Sequence, residues 1–287
     1  MQETLLANLV MVGELPAPTF EEEERLEFVR ARFTEYGVLN ASSDEVGNAA
    51  GILSGSEGKR SILLVAHGDT TYPTTFDPTV VVLPDRISGP GIADNALGVA
   101  ALTTLPLILE HLGIQLKSDL VLLASTRSLG KGNIEGARFF LDNVTRHIDH
   151  GICVEGAQLD RLSYASVGMF RGEIQCSVPE TNEWSSHWSS SAVHALNEVI
   201  NRILEIPLPT RPYSSIVLGS VEGGEGAYNH VATHATLRFE IRSESQEMVS
   251  DIHNRIENIV AEVNSVTQAT ASVRIFGHRD PGGLPFA

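Results

Sequence analysis

The stretch SILLVAHGDT at residues 61–70, followed by GPGIADNAL at residues 89–97, decides the fold of this chain. The first stretch is a near-continuous apolar run, typical of a strand covered on both faces, and it ends in His67 and Asp69. The second is a glycine-rich turn that brings Asp94 to the start of an apolar helix. Histidine and carboxylate side chains at the ends of neighbouring elements suit a divalent metal such as zinc. The two stretches therefore predict a metal site at the edge of a buried sheet.

The sequence around these stretches alternates between helical and strand-like patterns. This alternation favours an α/β domain over residues 1–166 with a doubly wound, mostly parallel sheet. Ligands of such sheets collect at the carboxyl ends of the strands, where His67, residues 125–128 and Glu155 fall. The predicted elements are helices over 3–14, 20–36, 94–112 and 133–144, a hairpin over 38–55, and strands over 61–67, 119–125 and 150–156.

The pattern changes after residue 166. Strand-like and amphipathic helical stretches then follow in the order βαββαβ, which is typical of a ferredoxin-like unit. We expect a second domain over residues 167–279, followed by a turn-like tail over 280–287.

The charge and composition of the chain exclude several classes of partner. Lys and Arg number 20 and Asp and Glu number 36, which gives a formal net charge of −16. This sign argues against nucleic acid and anionic membrane as partners. The N-terminus has no basic region before its apolar residues, and no uninterrupted run reaches the roughly 18 apolar residues that cross a bilayer. Because two cysteines do not make a disulfide framework either, we expect a cytoplasmic protein.

Three side chains could hold one divalent metal and leave a position open for water: His67, Asp94 and Glu155. Asp69, two residues after the histidine, is well placed to hold the imidazole in one tautomer. Each residue also has a simpler explanation when taken alone. A histidine at the end of a strand is commonly a satisfied polar residue, and an aspartate before a helix is commonly its N-cap.

Several blocks of the chain resemble the co-catalytic zinc metallopeptidases and deacylases, a family that includes carboxypeptidase G, tripeptidase T, aminoacylase and acetylornithine deacetylase. VAHGDT is similar to the family's block with the metal histidine and its orienting aspartate, and GPGIADNALGVAAL to the block with the bridging aspartate. VEGAQLDRLSYASVGMFRGEI resembles the block with the next carboxylate ligand, Glu155. WSSHWSSSAVHALNEVI and EGGEGAYNHVATHATLRFEIRS are similar to the family's lid or dimerisation domain.

The resemblance implies a zinc-peptidase-like fold and a homodimer formed through the lid. It also implies a peptide-like or N-acyl amino acid-like ligand. Asn229 matches a family asparagine that contacts substrate, and Arg242 matches the arginine of the following strand. A structural ion pair within the lid is the alternative role for Arg242.

The chain departs from the family where the catalytic carboxylates should be. In the family a pair of glutamates precedes a glycine-rich run, and STRSLGKGNIEGARFF at residues 125–140 places Ser128 and Leu129 at that pair. The first glutamate would be the general base, which serine cannot replace unaided, and the second would bind the other metal. We interpret Glu135 as solvated surface. We further hypothesise that Arg127 places a positive charge where the second metal would be.

We do not expect two further family features in this chain. Without a gap at Trp184, the lid histidine that polarises the substrate carbonyl aligns with Asn182, and His187 replaces it only with a shift in the loop. The chain ends at Ala287, before the family's returning segment and its last metal histidine, which we do not expect His278 to replace.

These departures favour a catalytically degenerate homologue that keeps at most a single-metal site, with zinc the favoured ion. The alternative is an active peptidase or N-acyl amino acid amidohydrolase that uses one metal and an unrecognised base. A third possibility is that the remaining ligands are relics and the protein binds no metal.

Overall fold

Parallel strands bring His67 and the segment that carries Glu155 to one edge of a sheet.

The computed structural model describes residues 1–156, 160–179, 191–224, 226 and 230–284. The chain divides into two compact units, Met1–Arg161 and Leu162–Ala287. The elements of the first unit are α1 (Gln2–Glu14), α2 (Glu23–Glu35), β1 (Leu39–Ser43), β2 (Ala49–Leu53), β3 (Ser61–His67), β4 (Val81–Val82), β5 (Ile87–Ser88), α3 (Leu97–His111), β6 (Asp119–Ser125), α4 (Glu135–Asn143) and β7 (His150–Cys153).

The main sheet of this unit has the order β1-β2-β6-β3-β7. Strand β3 runs parallel to both of its neighbours, and His67 at its end pairs with Ser125 at the end of β6. The hairpin of β1 and β2 adds antiparallel strands on the other side of β6. The predicted α/β class with a mostly parallel central sheet is therefore confirmed.

Helices α1, α2 and α3 cover the sheet with apolar side chains, which pack into one core with Leu122 of β6. Val29 and Phe33 of α2 and Val99 of α3 are fully buried there. The segment Ile92–His111 is long and apolar enough to cross a membrane by length and composition, and 56% of its apolar window is buried inside the protein. We expected no such segment, because we counted only uninterrupted apolar residues. Its burial is typical of a core helix.

Two elements end earlier or begin later than their sequence patterns predict, and both differences lie at the candidate site. Helix α3 begins at Leu97 rather than at Asp94, because Asp94 and Asn95 have non-helical dihedral angles within a turn over Ile92–Ala96. Strand β7 ends at Cys153, so Glu155 lies in the segment after the strand.

The second unit is the predicted βαββαβ arrangement with short flanking strands. Its elements are β8 (Ala165–Ser166), β9 (Gly168–Ser177), α5 (Ala192–Leu204), β10 (Ser214–Gly223), β11 (His234–Ser243), α6 (Gln246–Val266), β12 (Thr270–Arg279) and β13 (Gly282–Gly283). The main sheet is antiparallel with the order β10-β11-β9-β12, and apolar side chains of α5 and α6 pack against it. Gly282 and Gly283, within the predicted tail, pair with the short strand β8.

Candidate metal centre

The structure brings His67, Asp94 and Glu155 together at the carboxyl edge of the main sheet. His67 Nε2 lies 3.0 Å from Asp94 Oδ1 and 3.8 Å from Glu155 Oε2. One ligand atom from each residue lies within 4.8 Å of those of the other two. The histidine side chain is only 11% exposed, whereas the Asp94 and Glu155 side chains are 63% and 52% exposed. The cluster is therefore closed on the imidazole side and open to solvent on the carboxylate side.

The backbone around each ligand explains this convergence. His67 ends β3, and the Val154 amide donates to the carbonyl of Val65, which extends the pairing of β7 towards Glu155. Gly91, which has a φ of 67°, begins the turn that carries Asp94. A side chain there would be strained, so the glycine of the GPGIADNAL stretch is needed for the turn.

Asp69 sets the orientation of the imidazole. His67 Nδ1 lies 3.1 Å from the backbone oxygen of Asp69 and 3.3 Å from its Oδ1. Oδ1 is buried and has no hydrogen-bond partner within the part of the chain that the structure describes, so a proton on Nδ1 is the group that best satisfies it. With Nδ1 protonated, the lone pair of Nε2 is directed at the two carboxylates. This is the tautomer that a metal ligand requires.

The charges around the site shift the pKa values of its members. Burial opposes the charged form of His67, but the contact with Asp69 and the charges of Glu155 and Asp94 outweigh burial and raise the pKa of His67. Burial also raises the pKa of Glu155, with a further increase from Asp94 and an opposing effect of His67. The pKa of Asp69 is lowered, because its hydrogen bonds outweigh the effect of burial.

This donor set fits one divalent cation. A neutral imidazole nitrogen and two carboxylate oxygens converge, and all three are acceptors once Nδ1 holds the ring proton. Three acceptors at these distances require a cation between them, either a proton or a metal. Nitrogen and carboxylate ligands with an open side are typical of a zinc site that retains a water position.

Two family profiles of peptidases match parts of the chain. The family profile described as a peptidase dimerisation domain matches residues 178–267, and that of peptidase family M28 matches residues 48–128. The second match contains His67, Asp69 and Asp94. These two matches support a relationship to metallopeptidases and amidohydrolases. No curated protein sequence matches the chain.

Solved structures of peptidases share the fold of this chain. The aminopeptidase PepT from Bacillus cereus is 17% identical, with a TM-score of 0.68 over 100% of this chain and 78% of its own. The di-peptidase Dug1p from Saccharomyces cerevisiae is 12% identical, with a TM-score of 0.76 over 99% and 79% of the two chains. The YxeP protein of Bacillus subtilis, described as a dinuclear metal binding peptidase from the M20 family, is 14% identical, with a TM-score of 0.62 over 97% and 74%.

The protein holds Ser128 and Leu129 in a loop anchored to Asp69, two residues after the end of β3. The backbone amides of these two residues donate to Asp69 Oδ2 at 2.9 and 2.8 Å, and the Thr19 hydroxyl donates to the same oxygen at 2.8 Å. The Ser128 hydroxyl lies 3.2 Å from that of Ser125. The two positions that would carry acidic side chains in the family therefore present a hydroxyl and an alkyl group.

The hypothesis for Arg127 is wrong. Its guanidinium donates to Glu135 at 2.7 Å and lies over the ring of Phe20, 5.7 Å from the centroid, rather than pairing with Asp94. The interpretation of Glu135 as simply solvated surface is also incomplete, because it forms this half-exposed ion pair. Sequence analysis missed Arg25, a buried cation near Asp69. It donates to the carbonyl of Gly68, and burial lowers its pKa to about 10 although Asp69 opposes this shift.

Asn95 is a second residue of the site that sequence analysis missed. Its side chain is buried and hydrogen-bonded to the backbone on both sides of Glu155, at Val154 and Gly156. The only signal in the sequence is its position directly after Asp94 in the GPGIADNAL stretch.

The candidate substrate residues belong to the second unit and are not all described. Asn182, its possible replacement His187, and Asn229 lie outside the described residues. Arg242 lies on β11, and its Nε donates to Glu240 at 2.5 Å, which is the ion pair considered as its alternative role. His278 contacts Gln246 and Asp280 within the same unit.

Proposed function

We propose that this metallopeptidase homologue binds one divalent cation, zinc being favoured, through His67, Asp94 and Glu155, and that it is catalytically degenerate as a peptidase. The observation that carries the proposal is that one edge of the sheet keeps three metal ligands but has no acidic side chain at positions 128 and 129. The three ligand atoms lie within 4.8 Å of one another, whereas the neighbouring loop offers Ser128 and Leu129 in place of acidic side chains.

Three carboxylates that contact this loop already have hydrogen-bond partners. Asp69 Oδ2 accepts from the loop amides, and its Oδ1 faces His67. Glu22 is buried and accepts from the backbone amide of Arg127, while Glu135 pairs with the side chain of Arg127. None of these three is placed as a free general base.

The expected loss of rate is large. A bound divalent metal polarises a carbonyl oxygen and lowers the pKa of water. Asp69 holds the imidazole of His67 in one tautomer, but Ser128 has no basic form near neutral pH to accept a proton. General acid–base assistance alone contributes about 10²- to 10⁴-fold to a rate. A protein that keeps the ligands without the base is better suited to binding a peptide-like or N-acyl amino acid-like molecule than to cleaving it.

The match to a peptidase dimerisation domain at residues 178–267 supports a homodimer formed through the second unit. A cytoplasmic location remains part of the proposal, on the basis of composition alone.

Metal analysis of purified protein tests the metal site. After dialysis against zinc, we expect one bound ion per chain in the unmodified protein and none in the Asp94→Ala variant. Asp77→Ala is the matched control, because Asp77 is an exposed aspartate that accepts hydrogen bonds from the amide and hydroxyl of Thr79. An unmodified protein without metal, or one with two ions per chain, contradicts the proposal.

A substrate panel tests the degenerate activity. Dipeptides, tripeptides and N-acyl amino acids are incubated with the protein in the presence of zinc, cobalt or manganese, and released amines are measured. We expect no turnover above that of the Asp94→Ala variant. Turnover that Asp94→Ala abolishes would instead establish the alternative, an active one-metal hydrolase.

A further inference from the structure

Asn95 fixes the distance between two candidate ligands that are far apart in sequence. It follows Asp94 directly, and its side chain is 1% exposed. Its Nδ2 donates to the carbonyl of Val154 at 2.9 Å, and its Oδ1 accepts from the amide of Gly156 at 3.1 Å. These two backbone groups flank Glu155. One amide side chain therefore holds the peptide groups before and after a ligand carboxylate.

The same side chain is tied to the start of α3. Asn95 Oδ1 also accepts from the amide of Gly98 at 3.2 Å. A Cβ on Gly98 would lie 2.2 Å from Asn95 Oδ1 and 2.5 Å from the carbonyl of Val154. A Cβ on Gly156 would lie 2.5 Å from the carbonyl of Ala93. Because real Cβ atoms do not approach other atoms this closely, both glycines permit the direct packing of the Glu155 segment on the Asp94 turn.

From this geometry we infer that Asn95 is a positioning residue, which sets the spacing of Asp94 and Glu155 and thereby the affinity of the single-metal site. This inference rests on the proposed one-metal function. The residue has no contact with the metal in this role. Groups that orient metal ligands in this way typically change metal affinity by about 10- to 100-fold when they are removed.

Zinc affinity measured by calorimetry at fixed pH tests the inference on the full chain. We expect Asn95→Ala to weaken zinc binding about 10- to 100-fold. The matched control is Asn48→Ala, which removes another fully buried asparagine whose amide holds Gly136 and Thr126 instead. Asn48→Ala is expected to lower the melting temperature as Asn95→Ala does, but to leave zinc affinity unchanged.

A second pair of variants reaches the same contact from its other side and guards against a failure of Asn95→Ala to fold. Gly98→Ala pushes against Asn95 Oδ1 and is expected to weaken zinc binding. Gly151→Ala in β7 is its control, since a Cβ there meets nothing within 4 Å. In a Glu155→Ala background, which removes one of the ligands being positioned, the further effect of Asn95→Ala on affinity should shrink.

The possible results separate the inference from the proposed function. If the unmodified chain binds zinc and both Asn95→Ala and Gly98→Ala bind it equally well, the inference is wrong and the metal site stands. An affinity loss of the same size in Asn48→Ala would also overturn it, because the effect would then be general destabilisation. If the unmodified chain binds no zinc, the proposed function and the inference fail together.

Discussion

Ser128 is the residue on which the proposed loss of peptidase activity depends most. Its backbone amide donates to Asp69, and its hydroxyl lies near that of Ser125. These contacts fix the loop at the position where a general base would be.

We expect Ser128→Glu in the zinc-loaded protein to raise the hydrolysis of substrates in the panel by about 10²- to 10⁴-fold, because a carboxylate can accept the proton that serine cannot. The measurement is amine release, with Ser128→Gln as the control of equal size. Equal rates for the two variants would show that the missing base is not what limits the site.

His67 makes the stability of the metal-free protein depend on pH. Its pKa is raised above the ordinary value of 6.5 in the folded state. The stabilisation from its proton is therefore fully present below pH 6.5 and is lost as the pH rises through the raised value. The raised pKa of Glu155 acts in the same direction, because its ionisation costs stability as the pH rises above 4.5.

We therefore expect the difference in melting temperature between the chelator-treated protein and its His67→Gln variant to be largest in mild acid and to shrink towards alkaline pH. With zinc the order reverses, because protons compete with the metal for His67 and binding strengthens as the pH rises. A difference that is constant with pH would contradict the charge coupling at this site.

At the scale of elements, Asp69 joins the end of β3 to the loop after β6. Its Oδ2 accepts from Thr19 and from the amides of Ser128 and Leu129. We expect Asp69→Ala to lower the free energy of unfolding by about 3 kcal/mol, because it removes a buried carboxylate and leaves three half-buried donors unsatisfied. Chemical denaturation measures this change, with the exposed Asp77→Ala as control. A loss below about 0.5 kcal/mol, which is typical of surface substitutions, would show that the loop does not depend on Asp69.

Elements with strong local patterns are the part of the fold that could be predicted from sequence. Strands β3 and β6 have the predicted bounds, because a run such as SILLVAH is apolar on both faces and is buried between two layers. The turn over Ile92–Ala96 could not be predicted. Its shape depends on hydrogen bonds from Asn95 to backbone groups about 60 residues away, which leave no periodic signal near Asp94. Arg25 could not be predicted for a similar reason, because Gly68, whose carbonyl accepts its hydrogen bond, is 43 residues away in sequence.

At the scale of the molecule, the two edges of the second unit's main sheet differ. Strand β12 exposes Thr270, Ser272 and Arg274, polar side chains that discourage pairing with another strand. Strand β10 instead exposes Val217 and Val221, which are 42% and 58% accessible. The dimerisation profile at residues 178–267 contains β10 and ends before β12 begins at Thr270. The β10 edge is therefore the better candidate for contact between two copies of the chain.

We expect the protein to sediment as a dimer at tens of micromolar, and Val217→Lys/Val221→Lys to sediment as a monomer. Lysines on a sheet edge oppose pairing because each must lose its hydration and face a like charge across a two-fold axis. Thr270→Lys/Ser272→Lys places the same charges on the β12 edge and should leave the dimer intact. Sedimentation velocity distinguishes the outcomes, and circular dichroism shows whether each variant is folded. If the dimer survives the β10 lysines but dissociates with the β12 lysines, the contact lies on the β12 edge. If the unmodified protein is monomeric, the homodimer itself is contradicted.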